Sequence, residues 1–433
     1  MRVLIVSHIY APEISPRAFR WAAIAEHWTA KGHEVGVLCA RKPGLAANEN
    51  ISGVDVTRVG GGLTERVRAA LTTPAGGPTS APLPRRFCGR RTMICALKWV
   101  HDHTWKKLYW PDYACLWLRP AVRAAEEVLA SRNYDALITV SDPFTCHLVG
   151  LRLKRANPST PWLVDLGDPF CFRSGQTTNN QRLYRRRNYA VEREVFRRAD
   201  WITLTCEPTR ARYAEIFSES ADKIAVVPPL LSAGKAPSPR RRIFADDGKI
   251  RMVYVGVLYR TIRDPVFLLD LFGKLSQTHS GDRLELHLFG ASDGFADDSQ
   301  RYERLKVFWH GLVERETAIQ ATREADVLVN IGNTTPYQLP SKVVDYASAG
   351  KPILNLAKSE NDSSSEFFKT YPAHLNLLDA GSSPTDEQVA LTADFVEHLP
   401  PQVDPAELET WLDDYRTEAV AGAYERLIRT ACC

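Results

Sequence analysis

The sequence predicts an α/β protein made of two doubly wound, Rossmann-like domains, each with a mainly parallel sheet. Its 433 residues are more than one hydrophobic core usually serves. Short β-branched apolar runs alternate with amphipathic segments from end to end, as expected for parallel strands covered by helices on both faces. One Pro- and Gly-rich stretch with consecutive arginines interrupts this alternation near the middle of the chain.

Residues 1–231 are predicted to form the N-terminal domain. Its predicted strands are Val3–Val6, Val35–Leu38, Ala136–Val140, Trp162–Val164, Trp201–Leu204 and Ala225–Val227. The amphipathic segments between them predict helices at Arg17–Lys31, Phe144–Arg155 and Arg182–Arg198.

A linker over 232–249 leads into the second predicted domain, residues 250–402. Its predicted strands are Met252–Val255, Leu284–Leu288, Val307–Trp309, Val327–Asn330 and Pro352–Leu356, and its predicted helices are Asp264–Leu275, Glu314–Ala325 and Lys342–Ala349. A charged helix over Glu407–Thr430 ends the chain, and one placement for the segment 403–433 is against the N-terminal domain. Two such domains are expected to face each other across a cleft, with ligands outside the carboxyl ends of the strands.

Residues 60–110 interrupt the N-terminal domain. Gly60–Pro84 has the composition of a loop, whereas Arg85–Lys107 is basic, rich in tryptophan and amphipathic. Such a segment favours peripheral contact of residues 85–110 with a membrane surface, and a helix packed on the domain with a solvated basic face fits equally well.

Composition excludes several classes of protein. A net charge of +4 and the lack of any nucleic-acid motif argue against a nucleic-acid partner. The nine cysteines form no CxxC pair, which favours reduced thiols over a disulfide framework or a zinc site. No apolar run has the roughly 18 residues of a membrane span. We therefore expect a cytoplasmic protein, with peripheral contact at the inner face of the membrane, that uses no metal or other cofactor.

The segment Asn330–Pro352 carries the strongest chemical pattern. A strand runs into a polar loop, and Pro340-Ser341-Lys342 opens a helix that Gly350 ends. A lysine in a first helical turn is disfavoured by the helix dipole, which suggests that Lys342 faces a phosphate. Asp345 lies one turn further along, where it is spaced to reach a ribose hydroxyl. The alternative is an ordinary strand-loop-helix unit with a chance lysine.

This segment resembles the nucleotide-sugar loop of glycosyltransferase family 4, the retaining enzymes of GT-B fold, and most closely a branch with a Pro-Ser-Lys loop. The family carries two glutamates with seven residues between them; Asp345 stands at the second position and Tyr337 at the first. The resemblance implies that Asp345 binds the ribose and that Ser341 and Lys342 line the diphosphate side of a nucleoside-diphosphate sugar. It leaves the role of Tyr337 open.

A second match lies at Val253–Pro265. Gly256 ends a strand where a backbone can approach a phosphate. The family places a cation after this glycine, and the cations available here are Arg260, which we expect to hold the diphosphate, and Arg263 as its substitute. The alternative is that both are surface arginines.

The first domain matches the family more loosely. After the first strand come Ser15, Arg17 and Arg20, and the two arginines either bind a phosphate of a substrate or are solvated. Asp168 follows the strand at Trp162 and stands where the family has an acceptor-side polar residue. It either accepts a hydrogen bond from the attacking hydroxyl or serves only to form a turn.

These observations together predict transfer of a sugar to a saccharide or lipid-linked acceptor, with retention, in synthesis of a bacterial surface polysaccharide or glycolipid. The catalytic residues are predicted to be Asp168, Arg260 and Lys342. Two alternatives stay open, a nucleotide-sugar epimerase of the same fold and a non-catalytic nucleotide-sugar-binding scaffold.

Overall fold

The computed structural model describes residues 1–13, 15–61, 108–173, 178–231, 242–260, 262–292, 294–295, 302, 305–335, 337–340 and 342–431. The chain divides into two compact units. Unit 1 comprises Met1–Leu204, Tyr213–Val226 and Ala421–Cys433, and unit 2 comprises Thr205–Arg212 and Val227–Val420. Each unit is built on one sheet with helices, so the predicted α/β class with two Rossmann-like domains is confirmed.

Unit 1 contains an eight-stranded sheet of order β3-β4-β2-β1-β5-β6-β7-β8, parallel except for the antiparallel pair β3–β4. Its strands are β1 (Arg2–Ser7), β2 (Glu34–Ala40), β3 (Asn48–Ile51), β4 (Val54–Val59), β5 (Ala136–Val140), β6 (Trp162–Asp165), β7 (Trp201–Leu204) and β8 (Ile224–Val226). Its helices are α1 (Pro16–Ala30), α2 (Leu118–Ser131), α3 (Thr145–Ala156) and α4 (Gln181–Arg198), and α5 (Glu207–Ile216) spans the division between the units. All five residues of β5 are buried, as expected for a central parallel strand.

Unit 2 contains a six-stranded, wholly parallel sheet of order β11-β10-β9-β12-β13-β14. Its strands are β9 (Ile250–Val255), β10 (Leu284–Phe289), β11 (Val307–Gly311), β12 (Val327–Ile331), β13 (Ile353–Ala357) and β14 (His374–Leu378). Its helices are α6 (Val266–Leu275), α7 (Arg315–Glu324), α8 (Lys342–Ser348), α9 (Ser363–Phe368), α10 (Asp386–Glu397) and α11 (Pro405–Leu412). The order reverses between β9 and β12, and in such sheets ligands bind where the order reverses.

The structure contains several elements that were not predicted. They are the hairpin β3–β4, whose first strand is polar, the edge strand β14, which is only partly buried, and the helices α2, α5, α9 and α10. The single helix predicted over Glu407–Thr430 is wrong: it is two helices, α11 and α12 (Thr417–Ala431), separated by a short 3₁₀ turn. From Ala421 onward, α12 belongs to unit 1.

Some sequence predictions fall outside the described residues. These are the loop Gly60–Pro84 from residue 62 onward, the basic segment Arg85–Lys107, the first part of the linker up to residue 241, and Ser341. Among the helices of the described chain, none combines the length and the apolar character needed to cross a bilayer.

Candidate active site

Two loops meet at the carboxyl edge of unit 2, where the strand order reverses. One follows β9 and the other follows β12. The Thr334 amide donates to the Ile262 carbonyl over 3.2 Å, and the Arg263 Nε donates to the Asn333 Oδ1 over 2.8 Å. A backbone bond and a side-chain bond therefore hold the two loops together at the place where a ligand is expected.

Gly256 is the first residue after β9, and a side chain there would crowd its neighbours and strain the backbone. A Cβ at this position would lie 3.1 Å from both the Lys342 Nζ and the Tyr254 hydroxyl oxygen. Its φ of +153° is also one that residues with side chains rarely adopt. The lysine thus approaches the backbone of the loop closely, at the position predicted to meet a phosphate.

Lys342 begins α8 and points back at the end of β9. Its Nζ donates to the Val255 carbonyl over 3.2 Å and lies 3.7 Å from the centre of the Tyr254 ring. Burial, with a smaller effect from Arg263, lowers the pKa of Lys342 well below its usual range. No carboxylate among the described residues forms a salt bridge with this ammonium, so within that part of the chain the cation has no anionic partner.

The two candidate arginines occupy different surroundings. Arg263 lies close enough to Lys342 to depress its pKa and is held by Asn333. Arg260 is exposed, and its guanidinium carbon lies 4.6 Å from the centre of the Phe295 ring. The structure therefore groups Lys342 with Arg263, the residue expected only as a substitute; the predicted role of Arg260 at the diphosphate stays a prediction.

The remaining candidates of unit 2 lie on the same loop and helix. Asp345 is half-buried in the first turn of α8, and its backbone carbonyl accepts a bond from Ser348. The carbonyl of Tyr337 accepts a 2.7 Å bond from the Thr209 hydroxyl, which fixes the loop before α8. Ribose binding by Asp345 and a role for the Tyr337 side chain stay predictions.

In unit 1, Asp165 is the last residue of β6 and is 1% exposed. It accepts bonds of 2.9 Å from Arg17, Trp21 and Thr203 and one of 2.7 Å from the Tyr424 hydroxyl on α12. Burial alone would raise the pKa of Asp165, but the two arginines Arg17 and Arg20 and these hydrogen bonds outweigh it and lower the pKa.

The predicted acceptor-side residues are placed around this carboxylate. Arg17 pairs with Asp165, and its guanidinium fills the space beside Gly167, where a Cβ would lie 2.2 Å from the Arg17 Nη2. Arg20 is only 5% exposed and donates to the Tyr424 hydroxyl over 3.0 Å. Ser15 precedes α1 without a side-chain capping bond. Both arginines thus have protein partners, and their binding of a substrate phosphate stays a prediction.

Asp168, the other predicted residue, lies in the loop after β6. The Arg173 Nη2 lies 3.1 Å from its Oδ2, while the Nη1 of the same guanidinium donates to Asp142 over 2.6 Å. Asp142 follows the neighbouring strand β5. Asp168 is therefore held by an ion pair at the carboxyl edge of the sheet, which is more than a turn-forming role requires.

The family comparison matches about half of the chain, mostly within unit 1. Residues 18–229 match the family described as glycosyl transferase 4-like domain. This part of the chain is similar to that family. The match supports the enzyme class of the glycosyltransferases.

Solved structures similar to the whole chain have the same two-domain GT-B fold. The lipopolysaccharide outer core galactosyltransferase WaaB in its apo form has a TM-score of 0.59 at 12% identity, covering 99% of both chains. Anabaena HepE in complex with UDP-glucose has a TM-score of 0.55 at 12% identity, covering 99% of this chain and 100% of that one. An α,α-trehalose-phosphate synthase (UDP-forming) from Burkholderia xenovorans, in complex with glucose-6-phosphate, has a TM-score of 0.59 at 12% identity, covering 100% of both chains. No curated protein matches the sequence.

Sequence reasoning missed three residues that organise unit 1: Asp165, Arg173 and Tyr424. Asp165 ends a strand as Asp168 nearly does, and that position was the available signal. Tyr424 is 259 residues from its partner Asp165, so no local pattern could have linked them. The described residues of the protein contain no group of three or more His, Cys, Asp or Glu side chains that could hold a metal ion.

Proposed function

We propose that the protein transfers a sugar from a nucleoside-diphosphate sugar to a hydroxyl of a saccharide or lipid-linked acceptor, with retention of configuration. The observation that carries this proposal is the buried Lys342 ammonium at the point where the strand order of unit 2 reverses. It lacks a carboxylate partner among the described residues, and a diphosphate would supply the missing charge. Arg263, on the adjoining loop, would add a second cation.

The chemistry needs little from the protein beyond binding and charge. The bond between the sugar's anomeric carbon and the diphosphate oxygen breaks, and a bond from that carbon to the acceptor oxygen forms. The acceptor's proton passes to the leaving diphosphate oxygen, so no strong protein base is required. Lys342 and Arg263 stabilise the charge that develops on the diphosphate, and Asp345 binds the ribose. We propose that no metal ion takes part.

The biological setting is a further part of the proposal. The similar structures include a protein titled a lipopolysaccharide outer core galactosyltransferase and one in complex with UDP-glucose. They support a role in bacterial surface polysaccharide or glycolipid synthesis. The enzyme would act at the cytoplasmic face of the membrane, with residues 85–110 as the peripheral contact.

A panel of radiolabelled nucleotide sugars tests the proposal. The full chain is expected to bind one donor and to release its nucleoside diphosphate slowly with water and faster with a membrane extract. Interconversion of two donors without release would show an epimerase instead, and binding without any turnover would show a scaffold. Full activity in excess chelator is expected, and its loss would contradict metal-free catalysis.

A further inference from the structure

One guanidinium joins two loops at the carboxyl edge of the sheet of unit 1. Arg173 donates from Nη1 to the Asp142 Oδ2 over 2.6 Å, and its Nη2 lies 3.1 Å from the Asp168 Oδ2. Asp142 follows β5 and Asp168 follows β6, and these strands are parallel neighbours in the sheet. The two carboxylates therefore lie side by side with one cation between them.

The three side chains differ in exposure. Those of Asp142 and Asp168 are 37% and 33% exposed, whereas that of Arg173 is 14% exposed. Solvent, and any ligand arriving from it, thus meets two carboxylates with the cation more deeply buried. Without the guanidinium, these two carboxylates would repel each other.

The backbone of the loop is fixed independently of this ion pair. The buried carboxylate of Glu192 accepts bonds from the amides of Phe170 and Cys171 and from the Tyr213 hydroxyl. The guanidinium of Arg17 lies against Gly167, where no side chain fits. With the backbone held in this way, the ion pair with Arg173 acts on the orientation and the charge of the Asp168 side chain.

We propose that Arg173 is the positioning residue of the acceptor side, keeping the Asp168 carboxylate ionised and aimed at an uncharged acceptor hydroxyl, with Asp142 as its second anchor. The proposal rests on the proposed function, which assigns Asp168 to the acceptor. Asp168 accepts a hydrogen bond from that hydroxyl and takes no proton. An acceptor group bearing a phosphate here would meet two like charges, so the group is a sugar or polyol hydroxyl.

Other charged groups surround the pair and are common to every variant below. The buried Asp165 pairs with Arg17, which lies against Gly167. The buried Glu192 accepts a bond from the Tyr213 hydroxyl. Asp112 is buried near Asp142, and its pKa is raised to about 6, mainly by burial and to a smaller extent by Asp142.

The test measures release of nucleoside diphosphate against pH in the full chain, with water as the uncharged acceptor and the donor that the wild type turns over. In R173Q we expect kcat/KM at neutral pH to fall about tenfold and the acidic limb of its pH profile to move to a pH about one unit higher. D142N removes the negative charge beside Asp168 and should move the acidic limb to lower pH. R173Q/D142N should lie between the two, and R173K should recover part of the loss. The thermal shift produced by the bare nucleoside diphosphate should be the same in all variants.

Superimposed acidic limbs in wild type and R173Q would overturn the proposal. If R173Q does not fold, D142N provides the test instead, because the Asp142 side chain is 37% exposed and its replacement should be tolerated. An acidic limb in D142N at the same pH as in wild type would then contradict the proposal. Glucose 6-phosphate should accelerate release no more than glucose does; greater acceleration overturns the uncharged acceptor. Failure of the wild type to turn over any donor would refute the proposed function itself, a result distinct from these.

Discussion

The ammonium of Lys342 lies 3.7 Å from the centre of the Tyr254 ring, and its hydrogen bond is to the Val255 backbone carbonyl. Since a buried cation without an anion is costly, replacing it should help the free protein. K342M is therefore expected to weaken pyrophosphate binding about 10- to 100-fold while leaving the melting temperature unchanged or higher. Calorimetric titration and thermal melts check this, with K369M on an exposed lysine as control. A large drop in melting temperature would contradict it.

The same lysine predicts a pH dependence of stability. Its pKa in the folded protein lies well below the ordinary 10.5, so in this window the unfolded chain binds more protons. The penalty for burying Lys342 is complete below its folded pKa and is relieved as the pH rises toward 10.5. The free energy of unfolding of wild type should therefore approach that of K342M on going from pH 7 to pH 10, as urea titrations would show. Parallel curves would refute this.

Substitutions at Gly256 and Gly381 distinguish crowding by a new side chain from strain of the backbone. G256A adds a methyl group 3.1 Å from the Lys342 Nζ at a φ that favours glycine. We expect a loss of about 1–3 kcal/mol in stability together with weaker pyrophosphate binding, because the ammonium must move. G381A is the matched control, since Gly381 has a φ of +79° and nothing within 4 Å of its added Cβ. It should lose stability alone; equal pyrophosphate affinity in wild type and G256A would contradict the assigned contact.

Replacement of Asp345 should weaken binding of a nucleoside diphosphate and not of pyrophosphate. Loss of a carboxylate that binds ribose hydroxyls should weaken nucleoside-diphosphate binding by about tenfold in D345N and leave pyrophosphate binding unchanged. E366Q, on the neighbouring short helix α9, provides an exposed acid as control. Equal weakening of both ligands in D345N would place Asp345 at the phosphates or in the structure of α8 instead.

Tyr424 connects the terminal helix to the buried Asp165. Y424F removes a bond to a buried carboxylate and the acceptor of the Arg20 bond, so we expect a loss of about 1–3 kcal/mol in unfolding free energy. Y189F removes a weaker bond from an exposed tyrosine and should change stability by less than about 0.5 kcal/mol. Urea denaturation measures both, and similar values for the two variants would count against a structural role for the buried network.

Local patterns predicted the framework well. β5 and β7 have the bounds that their apolar runs gave, and the helix that the Pro-Ser-Lys pattern predicted begins at Lys342. The strand β3 was missed because its composition is polar and does not favour a strand. Its antiparallel pairing with β4, across a two-residue turn at Ser52 and Gly53, stabilises it instead. Arg173 could not be found from the sequence, because its partner Asp142 is 31 residues away and nothing local indicates a salt bridge.

Unit 1 is assembled from separated stretches of chain, and its final stretch begins at Ala421. Recombinant expression of residues 1–226 would remove Tyr424, so Asp165 would lose one of its hydrogen bonds and Arg20 would lose its acceptor. A soluble fragment would have to carry residues 421–431, fused behind Val226 through a short spacer or supplied as a synthetic peptide.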